Sequence, residues 1–406
     1  MREGLGPAKL ALAPRELPSE FTSGGHAKMS NAKWVLVAGD FVVHGGMDRA
    51  NYALAAFLAK TGNHVTLVTH RAAADLLNMP GVDIDCVRRR LGSHFLGSWS
   101  LSRAGRKHEA SGARLVVNGG NCAASGANWI HYVHAAYRPE LPASRVQRLK
   151  SGIVRPLDLN AERAAVSKAE VVICNSDRTR HDVIELLGVA PERAKTVYYG
   201  CDGDLFQPAR GEERKRLRQQ LGWPESRPIV LFIGALGDRR KGFDTLFDAW
   251  RRRLCRERKW DAMLVVVGRG GELALWKKRA SEAGLSDHIR FLGFRTDVPD
   301  LVRAADALVH PARYEAYGLG VQEALCCGLP AIVSSRAGIA ERYPDDLTDL
   351  LLSDPDDADE LAERLQNWRA NHEGFSSRVV PFARSLRARS WDDMARDVRD
   401  TILSSF

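Results

Sequence analysis

The sequence predicts an α/β protein of two Rossmann-like domains, each a doubly wound parallel sheet, that face each other across a cleft. Two observations support this prediction. From residue 33 onward, short apolar runs alternate with amphipathic stretches, which is the pattern of consecutive βαβ units. The pattern breaks at residues 201–218 and then begins again. A chain of 406 residues has room for two such domains at about 150 residues each.

The first half of the chain contains seven apolar runs that predict strands. They lie at residues 34–39, 64–68, 84–87, 114–117, 129–133, 171–174 and 196–199. The apolar spacing predicts one helix after the first strand and a longer one from about 146 to 168. Residues 1–30 mix charged residues with Gly, Pro and Ser, so we interpret them as a disordered leader before a first domain at 31–205.

The second half repeats the alternation. Its predicted strands lie at residues 229–234, 263–268, 289–292, 306–309, 331–333 and 350–352, with helices at 243–255 and 273–283. We therefore expect a second domain at 206–385 and a C-terminal helix at 386–406. Two doubly wound sheets in series predict a ligand site in the cleft between them, at the carboxyl ends of the strands.

Composition narrows the classes of partner. Hydrophobic content of 45% and charged content of 27% are ordinary for a globular protein, and no apolar run approaches the roughly 18 residues of a membrane span. The net charge of +9 favours anionic partners, but the absence of a nucleic-acid-binding signature argues against nucleic acid. Seven scattered cysteines without a CxxC pair predict a reducing compartment, the cytoplasm, and no metal site.

Basic residues cluster in the first domain and interleave with aromatic ones. The basic residues are at 88–90, 103, 106, 107, 145, 148, 150 and 155, and Phe95 and Trp99 lie among the first groups. This pattern leaves open a peripheral contact with an anionic membrane surface, such as the inner membrane face. We favour the alternative, a solvated loop.

The stretch from His310 to Pro330 carries the clearest chemical signal. Gly318-Leu319-Gly320 lies between a predicted strand and a predicted helix, where free backbone N–H groups and the positive end of the helix dipole bind anions. Glu315 precedes this turn and Glu323 follows it by about one helical turn. Two carboxylates beside a phosphate site suit a ligand with hydroxyl pairs, such as a diphosphate carrying a sugar at each end. An ordinary turn with solvated acids remains the alternative.

Two other strand ends carry phosphate-binding features. Gly45-Gly46 opens the helix after the first strand, so its backbone can approach a phosphate closely. Arg239, Arg240 and Lys241 follow the first strand of the second domain. Three cations at a strand's carboxyl end would neutralise a diphosphate and ease its departure as a leaving group.

Two histidines lie near the end of the strand predicted at 129–133. Strand alternation puts residue 131 on one face and His134 on the other face or at the strand tip. A polar residue that closes a parallel strand points into the cleft, so we favour His134 as a functional residue and His131 as a structural one.

Together these motifs resemble retaining glycosyltransferase family 4 (glycosyl transferases group 1), whose fold is the two-domain GT-B architecture. The resemblance is ordered along nearly all of residues 33–400. It rests on Gly45-Gly46, His134, residues 174–176, residues 199–202 with Phe206 and Pro208, residues 240–242, Gly268, residues 291–293, the Glu-x7-Glu of Glu315 and Glu323, residues 338–341 and Ser390-Trp391. One departure is Ala235, at a position where the family often has arginine.

The resemblance implies a nucleotide-diphosphate sugar as donor substrate and no tightly bound cofactor. It places Glu323 on the ribose hydroxyls, Glu315 on the hydroxyls of the transferred sugar, and His134 near the reacting carbon. Lys241, Arg239 or Arg240 and the backbone of residues 318–320 would bind the diphosphate, with Gly46 approaching from the opposite domain. The C-terminal helix would cross back to the first domain.

The implied reaction is transfer of the sugar, with retention of configuration, to a hydroxyl of a glycan, a lipid-linked acceptor or a small molecule, as in cell-envelope or exopolysaccharide biosynthesis. The acceptor itself is not specified. Two alternatives remain open. One is a sugar-nucleotide epimerase or hydrolase of the same fold. The other is a catalytically silent protein that binds a nucleotide-sugar or docks on a membrane.

Overall fold

The computed structural model describes residues 32–43, 45–89, 94–138, 145–237, 239–256 and 260–406. In the first half of these ranges nine strands form, of which seven make one parallel sheet. The strands are β1 Lys33–Val37, β2 Asp40–Phe41, β3 His64–Thr69, β4 Arg71–Ala72, β5 Val82–Cys86, β6 Arg114–Asn118, β7 Ala127–Ile130, β8 Val171–Cys174 and β9 Ala194–Thr196. The helices of this N-terminal lobe are α1 Gly46–Lys60, α2 Ala74–Leu77, α3 His94–Lys107, α4 Arg145–Lys168 and α5 Asp177–Leu187.

The C-terminal lobe is built on a second parallel sheet, of six strands within the described ranges. They are β10 Ile229–Ile233, β11 Met263–Val267, β12 Ile289–Gly293, β13 Ala307–His310, β14 Ala331–Ser334 and β15 Leu351–Leu352. Its helices are α6 Glu212–Gln220, α7 Phe243–Arg256, α8 Leu273–Glu282, α9 Val298–Ala304, α10 Leu319–Cys326, α11 Ala358–Ala370 and α12 His372–Arg387. The last helix, α13 Trp391–Leu403, packs against α1 of the other lobe.

The six strands of the C-terminal sheet have the same order as the first six of the N-terminal sheet, and this order marks the edge at which doubly wound sheets bind ligands. The N-terminal sheet runs β5-β3-β1-β6-β7-β8-β9 and the C-terminal sheet β12-β11-β10-β13-β14-β15. In each sheet the first strand lies at the centre and the chain reverses direction beside it, which is the doubly wound arrangement. Ligands bind at such a switch point, outside the carboxyl ends of the strands. The predicted two-sheet α/β fold is confirmed.

The central strands are buried on both faces, as their uninterrupted apolar sequences require. Residues 229–232 of β10 and all of β11 are buried, and so is every residue of β8. Helices on both sides of each sheet supply the opposing apolar surface. None of the helices in the described ranges combines the length and hydropathy that crossing a bilayer requires.

Three sequence predictions were wrong in detail. The basic and aromatic segment that we favoured as a loop contains α3, because Leu101 and Ala104 lie one turn apart and are buried while the basic residues occupy the exposed face. The strand predicted at 129–133 ends at Ile130, where a short 3-10 turn soon follows. The strand predicted at 196–199 lies earlier, at β9. The leader predicted at 1–30 lies outside the described residues.

Candidate active site

The N-terminal ends of two helices, one from each lobe, meet in the cleft. α1 begins at Gly46 and α10 at Leu319, and a methyl group placed on Gly46 would lie 3.8 Å from Leu319 Cδ2. The residues that precede them, Gly45 and Gly318, have φ values of 94° and 109°, which a side chain would strain. The first N–H groups of a helix have no partner within it and carry partial positive charge. The two ends therefore place unpaired N–H groups of both lobes at one point of the cleft, the geometry that favours an anion.

Glu315 lies in the loop between β13 and α10, with Cγ 3.6 Å from a methyl group placed on Gly318, and it faces two cations and a buried histidine. Its carboxylate pairs with the ammonium group of Lys241. His310 Nε2 lies 3.2 Å and Arg240 Nη1 3.8 Å from the same oxygen. Burial would raise the pKa of Glu315, but the charge of Lys241 and the hydrogen bond from His310 hold it well below its usual range. Glu315 is therefore ionised at neutral pH and can only accept hydrogen bonds.

The three basic residues that follow β10 do not all contact the same groups. Arg240 also donates a hydrogen bond to the carbonyl of Tyr314, and its guanidinium lies 5.6 Å from the centre of the Tyr132 ring in the other lobe. Arg239 instead approaches Asp244, with 3.6 Å between Nε and Oδ2. The structure thus brings Arg240 and Lys241 to the Glu315 side of the turn and directs Arg239 away from it.

Glu323 lies one turn into α10 and faces Arg49 of the other lobe, a residue that sequence reasoning missed. Arg49 Nη1 is 3.6 Å from the Glu323 carboxylate, and Nη2 is 3.2 Å from Asp202. The guanidinium also lies 5.2 Å from the centre of the Trp391 ring. Burial raises the pKa of Glu323 to about 7 despite the opposing charge of Arg49. Helical spacing could have found Arg49, because it follows Gly46 by three residues on the same helix.

His134 opens the 3-10 turn His134–Ala136 and is held by Glu162, which is buried on α4. Glu162 accepts hydrogen bonds from the His134 backbone N–H (2.9 Å) and from ring atom Nδ1 (3.1 Å). Burial alone would lower the pKa of His134, but the hydrogen bond and charge of Glu162 outweigh it, so the pKa is raised. The ring packs edge-on against Tyr132, which links it to Arg240 and Tyr314.

A cavity of about 560 Å³ opens at the switch point of the N-terminal sheet. Its floor is formed by residues that follow β1, β6 and β7, and its walls by α3 and α4. Asp48, from the first turn of α1, lines it together with Asp40; burial and the charge of Asp40 raise the pKa of Asp48 to about 6. His131, His134 and the exposed Trp99 line it as well. This cavity therefore reaches the first turn of α1, whereas Glu315 and α10 do not line it.

Several family-like motifs join the lobes instead of forming the cleft. Ser176 donates a hydrogen bond to the carbonyl of Ala316 (2.6 Å), and Gln322 donates to the carbonyl of Gly200 (2.9 Å). Glu341 accepts from the first two backbone N–H groups of α5, at 2.7 and 2.9 Å. These contacts set the position of one sheet against the other.

Two family models match the two lobes in turn. Residues 44–205 match the model described as Glycosyltransferase Family 4, and residues 213–381 match Glycosyl transferases group 1. The chain belongs to glycosyltransferase family 4. Among curated relatives of this family-4 chain is D-inositol 3-phosphate glycosyltransferase 1 of Catenulispora acidiphila, with 31% identity over 47% of this chain and 47% of the relative. The corresponding protein of Corynebacterium jeikeium is 29% identical over 57% and 56%.

The chain therefore spans about half the length of the curated relatives it matches. Solved structures match over nearly the whole chain. Sucrose-phosphate synthase from Thermosynechococcus elongatus has a TM-score of 0.72 at 21% identity and covers 92% of this chain and 98% of its own. HepE from Anabaena, in complex with UDP and glucose, has a TM-score of 0.68 at 20% identity and covers 93% and 100%. At these identities the likeness shows the GT-B fold.

Proposed function

We propose that the protein is a retaining glycosyltransferase that moves a sugar from a nucleotide-diphosphate sugar to an acceptor hydroxyl. The observation that carries this proposal is the convergence of two helix N-termini, at Gly46 and Leu319, beside an ionised Glu315 and its cations. A diphosphate bridging the lobes would receive backbone N–H groups from both sides. Cations next to it would stabilise the charge that develops as it leaves.

The donor's two sugars would bind on either side of the diphosphate. Glu323, one turn into α10, faces the position where the ribose hydroxyls would donate hydrogen bonds. Glu315 would accept from hydroxyls of the transferred sugar, since an ionised carboxylate only accepts. Lys241 has three N–H donors, so it can keep its contact with Glu315 while it binds a phosphate oxygen. The family often has an arginine at the position of Ala235, and Arg240 is our candidate for the residue that replaces it at the diphosphate.

The acceptor would enter from the N-terminal cavity, on the side of the sugar away from the nucleotide. His134, oriented by Glu162, would contact the sugar near the reacting carbon. We infer transfer on the front face, with the departing phosphate taking the proton of the acceptor hydroxyl. In this mechanism the protein positions both substrates and stabilises charge, and no carboxylate acts as nucleophile.

The similar solved structures indicate which nucleotide diphosphates to test first. HepE was solved with UDP-glucose and with UDP, and a starch synthase from Arabidopsis thaliana with ADP. Uridine and adenine diphosphate sugars are therefore the first donors to test. The relatives named for D-inositol 3-phosphate indicate a hydroxylated acceptor, in keeping with the expectation of a hydroxyl.

We place the protein in the cytoplasm, because the described cysteines are unpaired. Peripheral contact with anionic membrane stays a prediction. Arg103, Arg106 and Lys107 are exposed on α3, which supports it. Trp99, however, lines the N-terminal cavity, so its exposure has an explanation other than membrane contact.

A panel of nucleotide-sugars tests the proposed function directly. We expect one diphosphate sugar to raise the melting temperature more than the others, because it binds only the native state. With that donor and an extract of polyols and glycans, we expect a labelled sugar to appear in a new product with the anomeric configuration of the donor. Binding without hydrolysis or transfer would favour the catalytically silent alternative, and release of free sugar alone would favour a hydrolase.

A further inference from the structure

Arg49 is a cation in the first turn of α1, where a helix favours anions. The positive end of the helix dipole repels a guanidinium there, so helix stability does not account for this residue. Its side chain is 16% exposed and has contacts on three sides. Nη2 donates a hydrogen bond to Asp202 (3.2 Å), the guanidinium lies 5.2 Å from the centre of the Trp391 ring, and Nη1 lies 3.6 Å from Glu323 Oε1. Arg49 therefore extends from the N-terminal lobe to a carboxylate of the other lobe.

The groups that fix Arg49 lie where the chain passes between the lobes. Asp202 belongs to the first passage and Trp391 to the second, and a parallel β-bridge joins the residues that precede them. Asp202 Oδ1 accepts a hydrogen bond from the backbone N–H of Leu205 (3.1 Å), while Oδ2 accepts from Arg49. Both passages of the chain thus hold the guanidinium in place against Glu323.

The contact between Arg49 and Glu323 supplies charge without a hydrogen bond. At 3.6 Å the two atoms lie beyond the usual hydrogen-bond distance. Within the described ranges, no side chain or backbone group donates a hydrogen bond to the Glu323 carboxylate. Glu315 differs in this respect, because Lys241 donates a hydrogen bond to its carboxylate. The oxygens of Glu323 are therefore left to accept from hydroxyls of a ligand.

Arg49 is the one cation among the described residues that acts on Glu323 in this way. Asp202 acts on the same carboxylate with the opposite sign. On α10 itself, burial raises the pKa of the Cys327 thiol, which stays neutral. The charged and titratable side chains on the other elements packed against α10 have partners of their own: Arg303 with Glu213, His310 with Glu315, Arg387 with the carbonyl of Cys326, Arg342 with the hydroxyl of Tyr317, and Glu341 with the first N–H groups of α5.

We propose that Arg49 is a positioning residue of the donor site, which keeps Glu323 ionised from the opposite lobe and leaves its oxygens free for the ribose hydroxyls. The proposal rests on the proposed function and adds a residue to its donor site. Burial disfavours the charged form of a carboxyl group, so without Arg49 the carboxylate would take up a proton near neutral pH. The nucleoside site of the C-terminal lobe is therefore complete only with a residue of the N-terminal lobe.

The pH dependence of nucleotide affinity tests this role. Calorimetry measures the binding of UDP or ADP, whichever binds more tightly, to the parent enzyme and to Arg49→Gln. We expect the midpoint of the affinity profile to rise by about one pH unit or more in the variant, since an adjacent cation lowers the pKa of a carboxyl group by at least that much. Glu323 is ionised above its pKa, so the variant should bind at least about fivefold more weakly at neutral pH. This difference should narrow as the pH rises. The nucleotide phosphates titrate alike in both measurements, so the ratio of the two affinities isolates the carboxylate.

Two further variants separate this role from a structural one. Arg49→Lys keeps the charge and should keep the midpoint within about half a pH unit. Arg389→Gln is the matched control, because Arg389 pairs with Asp397 and donates to the carbonyl of Tyr198 beside the same passages of the chain. It should leave the midpoint unchanged. Circular dichroism confirms the folding of each variant.

The outcomes distinguish this proposal from the proposed function. A loss in Arg49→Gln that is equal at every pH, as a direct contact with a phosphate or a purely structural role would give, would overturn the proposal and leave the proposed function intact. Nucleotide binding with the expected pH dependence but without any sugar transfer would overturn the proposed function and leave the role of Arg49 intact.

Discussion

The two lobes of the cleft satisfy their polar groups in different ways. In the C-terminal lobe the Glu315 carboxylate already contacts Lys241, Arg240 and His310. In the N-terminal lobe, within the described residues, no hydrogen bond reaches the Asp48 carboxylate or His131 Nε2. The charge of Glu315 is therefore neutralised within its own lobe, whereas Asp48 and His131 Nε2 receive no hydrogen bond from the described residues.

This difference indicates how each half selects its substrate. A donor bound as proposed leaves the contact between Lys241 and Glu315 in place and adds a phosphate to the same ammonium group, so helix ends and cations would supply most of its binding. A buried donor or acceptor without a partner costs about 1–3 kcal/mol. His131 Nε2 bears this cost inside the fold, whereas the half-buried Asp48 can accept from water or from an acceptor hydroxyl. We therefore expect charge to govern binding in the donor half and hydroxyl contacts to govern it in the acceptor half.

The largest expected effect comes from removing the ammonium group at Glu315. We expect Lys241→Ala to lower kcat by about 10²–10³-fold, the loss typical of one group that stabilises charge in the transition state. Steady-state transfer kinetics measure it, with circular dichroism to confirm folding. Lys278→Ala is the matched control, because this lysine pairs with Glu282 on the exposed face of α8. A kcat within twofold of that of the parent enzyme would show that Lys241 only neutralises the charge of Glu315.

The next effect concerns nucleotide affinity. We expect Glu323→Ala to weaken nucleotide diphosphate binding by about 10–100-fold, the range for hydrogen bonds to a charged group. It should leave the KM for the acceptor unchanged, since the acceptor would bind in the other lobe. Calorimetry with UDP and ADP measures the first quantity and steady-state transfer kinetics the second. An equal loss of both would mean that Glu323 acts through Arg49 on the N-terminal lobe.

The C-terminal half of the site was the easier one to predict from sequence. Its groups lie in two contiguous segments, 239–241 and 310–323, where spacing along a strand, turn and helix directly determines proximity in space. The phosphate-binding turn and the two glutamates beside it were predicted from that local geometry. The structure brings Gly46 and Leu319, which were also predicted, together. The separation of Arg239 from Arg240 could not be predicted, because it depends on Asp244 in the following helix.

The cavity of the N-terminal lobe could not be predicted, since its lining comes from segments that are distant in sequence. Asp48 and Trp99 belong to different helices, and His131 follows a strand. We interpreted His131 as structural, and the structure buries it with ring atom Nδ1 against the hydroxyl of Tyr199; the error lies in the strand, which was predicted to continue to residue 133. The strand ends at Ile130, so His131 already lies beyond the edge of the sheet. Local pattern carries no information on where a buried strand stops when apolar residues continue.

A pH titration tests the donor half further. Under the proposed function Glu323 accepts hydrogen bonds from ribose hydroxyls, which it does best when ionised, and burial raises its pKa to about 7. Nucleotide affinity should therefore be full above this value and fall by up to about tenfold for each pH unit below it. The nucleotide phosphates titrate too, so Glu323→Gln serves as the control: the difference between the two affinity profiles isolates the carboxylate. Parallel profiles would show that Glu323 is ionised throughout.

The smallest effect concerns the contact that joins the two halves. The buried hydroxyl of Tyr314 accepts a hydrogen bond from the backbone N–H of Val133, at 3.1 Å. Tyr314→Phe leaves that N–H without a partner, so we expect the apparent free energy of unfolding in urea to fall by about 1–2 kcal/mol. Tyr343→Phe, which removes a buried hydroxyl bond to Ala331 inside the C-terminal lobe, should cost a similar amount. Only Tyr314→Phe should also raise the KM for the acceptor, because of these two bonds only that of Tyr314 joins the acceptor lobe to the donor lobe. If both variants changed KM equally, general stability would account for the effect, and the two lobes would act as one unit.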